Sequence, residues 1–159
     1  MKNLLKLLEK DARLTTEQLA AMLDKTDEEI EAAIAQCEED NTILGYTALI
    51  DWDKVRHDDV TALIEVKISP QRGDGFDRIA ERIYQYDEVE NLYLMSGAFD
   101  LAVFIKGRSL QEIAHFVFAH LAPLDGVTST STHFILKKYK EKYRTFGTLP
   151  EQKDKLRYV

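Results

Sequence analysis

The sequence predicts an α+β protein, an N-terminal winged helix-turn-helix followed by a ferredoxin-like β-α-β-β-α-β domain. Three observations carry this. Short apolar stripes at helical spacing follow one another within the first 40 residues, and two of them open on capping boxes. A strictly alternating segment begins at Val60, and alternation returns after each of two later helical stripes. With 159 residues and 45% hydrophobic content, the chain has room for one ordinary domain or two small ones with real cores.

The first stripe is Leu4, Leu5, Leu7 and Leu8, ending at Asp11-Ala12-Arg13. A capping box, Thr15-Thr-Glu-Gln18, opens a second helix that runs to about Leu23, with Leu19, Ala20, Met22 and Leu23 inward. After the short turn Asp24-Lys25, a second box, Thr26-Asp-Glu-Glu29, starts a third helix with Ile30, Ala33, Ile34 and Cys37 inward. Two helices across a tight turn after a leading helix make a helix-turn-helix, and the β-rich stretch Ile43 to Ile50 is expected to follow as its wing.

Val60, Ala62, Ile64, Val66 and Ile68 alternate with Thr61, Glu65 and Lys67, which predicts a strand, and Pro70 to Gly75 reads as a loop. Phe76, Ile79, Ala80 and Ile83 then fall at helical spacing. Two strands, Glu88 to Ser96 and Phe99 to Lys106, are expected to meet in a hairpin turn at Ser96-Gly97-Ala98. A further box, Ser109-Leu-Gln-Glu112, opens a helix with Leu110, Ile113, Ala114, Val117 and Leu121 as its stripe. Pro123 and Gly126 close it before a last strand, Val127 to Tyr139. In a β-α-β-β-α-β fold the helices cover one sheet face, so the other would expose Leu63 and Phe104. Self-association is the simplest way to cover it.

The net charge is −7, which makes the whole molecule no electrostatic magnet for nucleic acid or anionic lipid. Its distribution is uneven. Residues 1–57 and 58–136 each carry a net −6, whereas residues 137–159 carry +5. The polar stretch Asp51 to Asp59 divides two acidic bodies, and a basic tail follows. The single cysteine, Cys37, excludes an internal disulfide and fits a reducing compartment. No run approaches the ~20 apolar residues of a membrane span, so a cytoplasmic protein with no membrane partner is expected.

These segments together resemble the Lrp/AsnC (feast/famine) family of transcriptional regulators over nearly the whole length. The resemblance rests on Leu4 to Arg13, Ile43 to Ile50, Met95 to Ile105 and Gly126 to Tyr139, in the family's order and spacing. It implies a DNA-binding domain over 1–50, a linker over 51–59, a ligand-sensing and oligomerisation domain over 60–140, and a basic C-terminal tail over 141–159. It also implies a homo-oligomer that binds double-stranded DNA and a small-molecule effector, commonly an amino acid. The effector site maps onto Gly97, Ala98, Phe99 and Asp100 and onto Thr130 and Thr132, facing a neighbouring subunit. The chemistry is reasonable: a carboxylate suits an ammonium group, and turn N–H groups with hydroxyls suit a carboxylate. The plainer alternative makes Gly97 a left-handed turn residue, Asp100 a turn cap and the Ser/Thr run β-formers.

On the helix-turn-helix, Lys25, Thr26 and Gln36 are the candidate DNA contacts. Against them, Asp24 to Asp40 contains eight acids and one base. First-turn acids favour the helix dipole by roughly 0.3–1 kcal/mol each, yet a helix that never meets DNA gains the same benefit. The alternative is therefore an effector-binding oligomer that has lost specific DNA binding through its acidic third helix. Lys137, Lys138, Lys140, Lys142, Arg144, Lys153, Lys155 and Arg157 of the tail could supply phosphate contacts instead. No enzyme is expected, since no phosphate loop, nucleophile elbow or Cys/His pairing occurs. His57, His115, His120 and His133 lack metal-ligand spacing, so no metal and no cofactor are expected.

Overall fold

A computed structural model describes residues 1–55, 59–69 and 75–147. His57, most of the expected Pro70–Gly75 loop, and the tail cations Lys153, Lys155 and Arg157 lie outside the described residues. The chain divides into two compact units, Met1–Asp51 with the stretch from Tyr139, and Trp52–Lys138.

In the first unit, α1 (Lys2–Lys10), α2 (Thr16–Leu23) and α3 (Asp27–Glu39) share a core of Leu4, Leu8, Leu19, Ala20 and Ile30. Leu7, Leu23, Ala33 and Ile34 pack around it. Met22, expected inward, is instead 59% exposed, because the eight-residue helix turns only Leu19 and Ala20 fully to the core. Both expected capping boxes form. The Thr15 hydroxyl accepts the Gln18 N–H at 3.2 Å while the Gln18 side chain accepts the Thr15 N–H at 3.0 Å. Thr26 and Glu29 repeat the exchange at 3.3 and 3.0 Å. Between the helices Asp24 adopts φ 54°, a left-handed conformation its short polar side chain tolerates.

Over Ile43 to Ile50, where a wing is expected, the described residues contain no strand. After the Ile43 N–H donates to the Cys37 carbonyl, no regular secondary structure occurs before Trp52. A β-rich composition needs a partner strand to become a strand, and among the described residues this segment pairs with none. The two-stranded element of this unit is instead β5 (Lys140–Glu141) with β6 (Arg144–Thr145), in the antiparallel register Lys140↔Thr145 and Glu141↔Arg144. Its two-residue loop puts Lys142 at φ 41° and Tyr143 at φ 69°.

In the second unit a short 3-10 turn, Trp52–Val55, precedes β1 (Val60–Ile68), α4 (Phe76–Ile83), β2 (Val89–Leu94), β3 (Leu101–Gly107), α5 (Leu110–Phe116) and β4 (Val127–Phe134). The sheet order is β2-β3-β1-β4 with every neighbour antiparallel, the ferredoxin-like arrangement. Ala62, Ile64 and Val66 lie opposite Ile105, Val103 and Leu101, and these six join Ile79, Ile83, Ile113, Phe116 and Leu121 in one core. Each large apolar side chain buried there contributes about 1.5–3 kcal/mol.

Three details differ from expectation. The helix opened by Ser109 keeps only half its box: Ser109 Oγ accepts the Glu112 N–H at 3.1 Å, but the Glu112 carboxylate reaches one residue further back to the Arg108 N–H at 2.6 Å. α5 also passes into a π turn over Val117–Leu121, which widens the helix where Phe116 and Leu121 both turn inward. Finally, β2 ends at Leu94 and β3 starts at Leu101, so the expected three-residue turn is a six-residue connection, closed by the Met95 N–H donating to the Asp100 carbonyl at 2.7 Å.

Candidate functional site

The β2–β3 connection carries four of the candidate effector residues, Gly97, Ala98, Phe99 and Asp100, and Asp100 anchors it. Its backbone N–H donates to the Val66 carbonyl at 3.0 Å, and its Oδ2 accepts the Ile68 N–H at 2.7 Å. The carboxylate thus holds the loop against the end of β1, where the pairing with β4 slips between Lys67 and Ile68. A charged acceptor on a main-chain donor is worth about 1.5–3 kcal/mol, so the capping role is real. Gly97 departs from its plainer reading. Its φ is not left-handed, and a Cβ placed on it would meet nothing within 4 Å.

Thr130 and Thr132 lie opposite Val66 and Ile64, on the sheet side that carries α4 and α5. Thr130 therefore flanks Val66 on one side while Asp100 bonds Val66 on the other. Two strand spacings, roughly 10 Å, separate β4 from β3, with β1 between them. Thr132 stands one pair further along. The side chains of β4 on the uncovered sheet side are Ser129, Ser131 and His133, opposite Lys67, Glu65 and Leu63. Which side of the sheet each β4 residue takes was not legible in the sequence, because alternation fixes which residues share a face but not which face meets the helices.

That uncovered face is apolar at its centre. Leu63 pairs with Phe104, Tyr93 meets Phe104 edge-on at 6.1 Å, and Ala102 lies opposite Tyr93. Leu63 and Phe104, expected exposed, are half-buried by these neighbours. At its rim the Lys106 ammonium pairs with Asp59 at 2.6 Å and sits 5.1 Å from the Trp52 ring centroid, while His133 lies 3.4 Å from Glu65.

In the first unit, the helix-turn-helix candidates are partly committed elsewhere. Lys25 Nζ pairs with Glu29 Oε1 at 2.8 Å, and Thr26 is the N-cap of α3. Gln36 stays exposed on α3, beside the exposed Ala32 and Ala35. Of the eight acids, several serve the chain itself. The hydrogen bond from Lys25 and then the Thr26 N–H hold Glu29 below its ordinary range, as its own N–H and the Thr26 hydroxyl do for Glu28. The Thr42 hydroxyl and N–H do likewise for Asp40, and Glu38 accepts from the Tyr46 hydroxyl at 2.9 Å. The burial and Glu38 contact push the Tyr46 phenol up.

Elsewhere, His120 packs against Tyr86 and Phe116 at ring centroids of 4.7 and 5.3 Å. Among the described residues no cluster of His, Cys, Asp or Glu has the geometry of a metal site, and no helix is long and apolar enough to cross a membrane.

A family model described as the Lrp/AsnC ligand binding domain matches residues 61–145. YugG of Bacillus subtilis, an uncharacterised HTH-type transcriptional regulator, is 46% identical over 94% of this chain and 91% of its own length. The chain belongs to the Lrp/AsnC family. The HTH-type transcriptional regulator LrpA of Pyrococcus horikoshii is 29% identical over 87% of this chain and 96% of its own. Its relatives are thus named as transcriptional regulators, which are not enzymes. Among solved structures, AsnC of E. coli superposes with a TM-score of 0.66 at 20% identity, covering 90% of this chain and 93% of that one. A transcriptional regulator of Neisseria meningitidis, solved as an L-Met complex, gives 0.69 at 23% identity over 87% and 88%. The Lrp/AsnC fold is therefore common to all of them, and the matched domain begins within β1 and ends on the last residue of β6.

Proposed function

We propose that this chain is a ligand-responsive transcriptional regulator of the cytoplasm that binds operator DNA as a homo-oligomer, with an amino acid as effector at an interface made by the C-terminal sheet. The observation that carries this reading is the Asp100 loop. It brings a carboxylate and the N–H groups of Gly97, Ala98 and Phe99 to the end of β1, whose neighbour β4 carries Thr130 and Thr132. An amino acid offers the complementary ammonium and carboxylate. The L-Met bound by the Neisseria regulator supports the same class of ligand.

The mechanism is linkage. An effector seated where two copies meet shifts assembly, and with it DNA affinity, only by its differential affinity for the assembled states. Calorimetric titration with the twenty amino acids, together with sedimentation at each, tests this. Binding of one or a few, with a change in oligomer size or DNA affinity, is the expected result, and binding of none refutes the effector reading. The commitment of Lys25 to Glu29 favours one second reading, an effector-binding oligomer without specific DNA binding. Effector binding with no retained DNA would establish it.

A further inference from the structure

We propose that the β5–β6 hairpin is the phosphate-contacting element of the DNA-binding unit, doing for this chain what a wing does and supplying the cations that α3 lacks. This rests on the reading of the chain as a DNA-binding regulator. By sequence the hairpin is the end of the matched ligand-binding domain, but in space it groups with the three helices rather than with the four-stranded sheet.

Charge and geometry both point to a polyanion. Lys140, Lys142 and Arg144 are exposed within five residues of chain, and none pairs with an acid among the described residues, whereas Glu141 between them is half-buried and engaged. Across α2, the turn and α3 the one base is Lys25, held by Glu29. The loop itself is strained. Lys142 and Tyr143 are consecutive non-glycine residues at φ 41° and 69°, in a two-residue hairpin loop where Asn-Gly would sit freely. A strained turn kept with a lysine and an exposed tyrosine at its tip presents both side chains outward, where an ammonium and a phenol can each donate to phosphate oxygens.

Phosphate contacts carry no sequence information, so a random duplex of roughly 40 base pairs serves as probe, its binding measured from about 50 to 200 mM salt. The test variant combines Lys140→Glu, Lys142→Glu and Arg144→Glu. The control combines Lys2→Glu, Lys6→Glu and Lys10→Glu, which makes the same charge change on the exposed face of α1. Circular dichroism melting confirms that both fold. The hairpin variant is expected to lose about tenfold or more in affinity, and its slope of log K against log salt to flatten by about 2.7, three phosphates at roughly 0.9 each. The control is expected to lose less and keep the wild-type slope. An unchanged hairpin variant, or equal losses in both, overturns the proposal. Failure of the wild-type chain itself to bind at low salt overturns the underlying DNA reading, and the hairpin's part with it.

Discussion

Gly97 and Gly126 look alike in the sequence, each a glycine in a connection between elements, yet they answer to different physics. Gly126 has φ +92° and a Cβ there would stand 3.1 Å from Ile79 Cδ1, so Gly126→Ala should destabilise the sheet unit by about 1–3 kcal/mol. Gly97 has neither constraint in this chain, so Gly97→Ala should leave melting unchanged or raise stability by about 0.4–1 kcal/mol, while weakening binding of the amino acid proposed to lie against the loop. Thermal melts with titrations of both variants check the pair. Asp100 separates structure from charge in the same way. Asp100→Asn keeps a neutral acceptor for the Ile68 N–H and should cost about 1 kcal/mol of stability yet lose the ammonium contact. Asp100→Ala should lose both, with about 1–3 kcal/mol of stability. Equal amino-acid affinity in Asp100→Asn and wild type would remove Asp100 from the site. The loop was legible in the sequence as a turn, but the role of its aspartate was not, because the Ile68 N–H it accepts comes from 32 residues away.

At the scale of elements, what was readable is what local chemistry determines. The boxes at Thr15 and Thr26 close as their spacing requires, and the strict alternation of Val60 to Ile68 becomes β1 with its even positions in the core. Elements that depend on distant partners were not readable. Ile43 to Ile50 has the composition of a strand and pairs with no strand among the described residues, while the hairpin at Lys140 to Thr145 has an unfavourable turn sequence and forms nonetheless. Each left-handed non-glycine residue costs about 1–2 kcal/mol, so Tyr143→Gly should stabilise the hairpin, seen as slower amide exchange at Phe146, whose N–H donates to the Tyr139 carbonyl. Faster exchange would mean that the Tyr143 side chain outweighs its backbone strain. For α3, Thr26→Ala should cost about 0.5–2 kcal/mol. The pH dependence has a defined sign. Glu28 and Glu29 are held below their ordinary value of 4.5 when folded, so their contribution is present above that value and is lost as pH falls through the lowered folded values. Helicity of the first unit should therefore weaken from pH 5 toward pH 3, by less in Glu29→Gln, as followed by far-ultraviolet dichroism.

On the scale of the whole molecule, the charge asymmetry seen in the sequence gains a physical reading once the fold is known. The acids of α3 are partly caps and turn partners of the helical unit, and the exposed cations of the hairpin gather on that same unit. The two-sided sheet gives the other half of the account. One face holds α4 and α5, and the other presents Leu63, Phe104 and Tyr93, so a charge placed there by Leu63→Glu should reduce the oligomer measured by sedimentation while leaving each chain folded. An oligomer unchanged in size would put the subunit interface elsewhere. The central claim, that this Lrp/AsnC chain is a DNA-binding regulator answering to an amino acid, is tested most directly by retention of fragmented genomic DNA on the pure protein at low and physiological salt, with and without an amino-acid mixture. The account predicts that a few fragments are retained selectively at physiological salt and that the amino acids change their affinity. Retention of no fragment at either salt would contradict it.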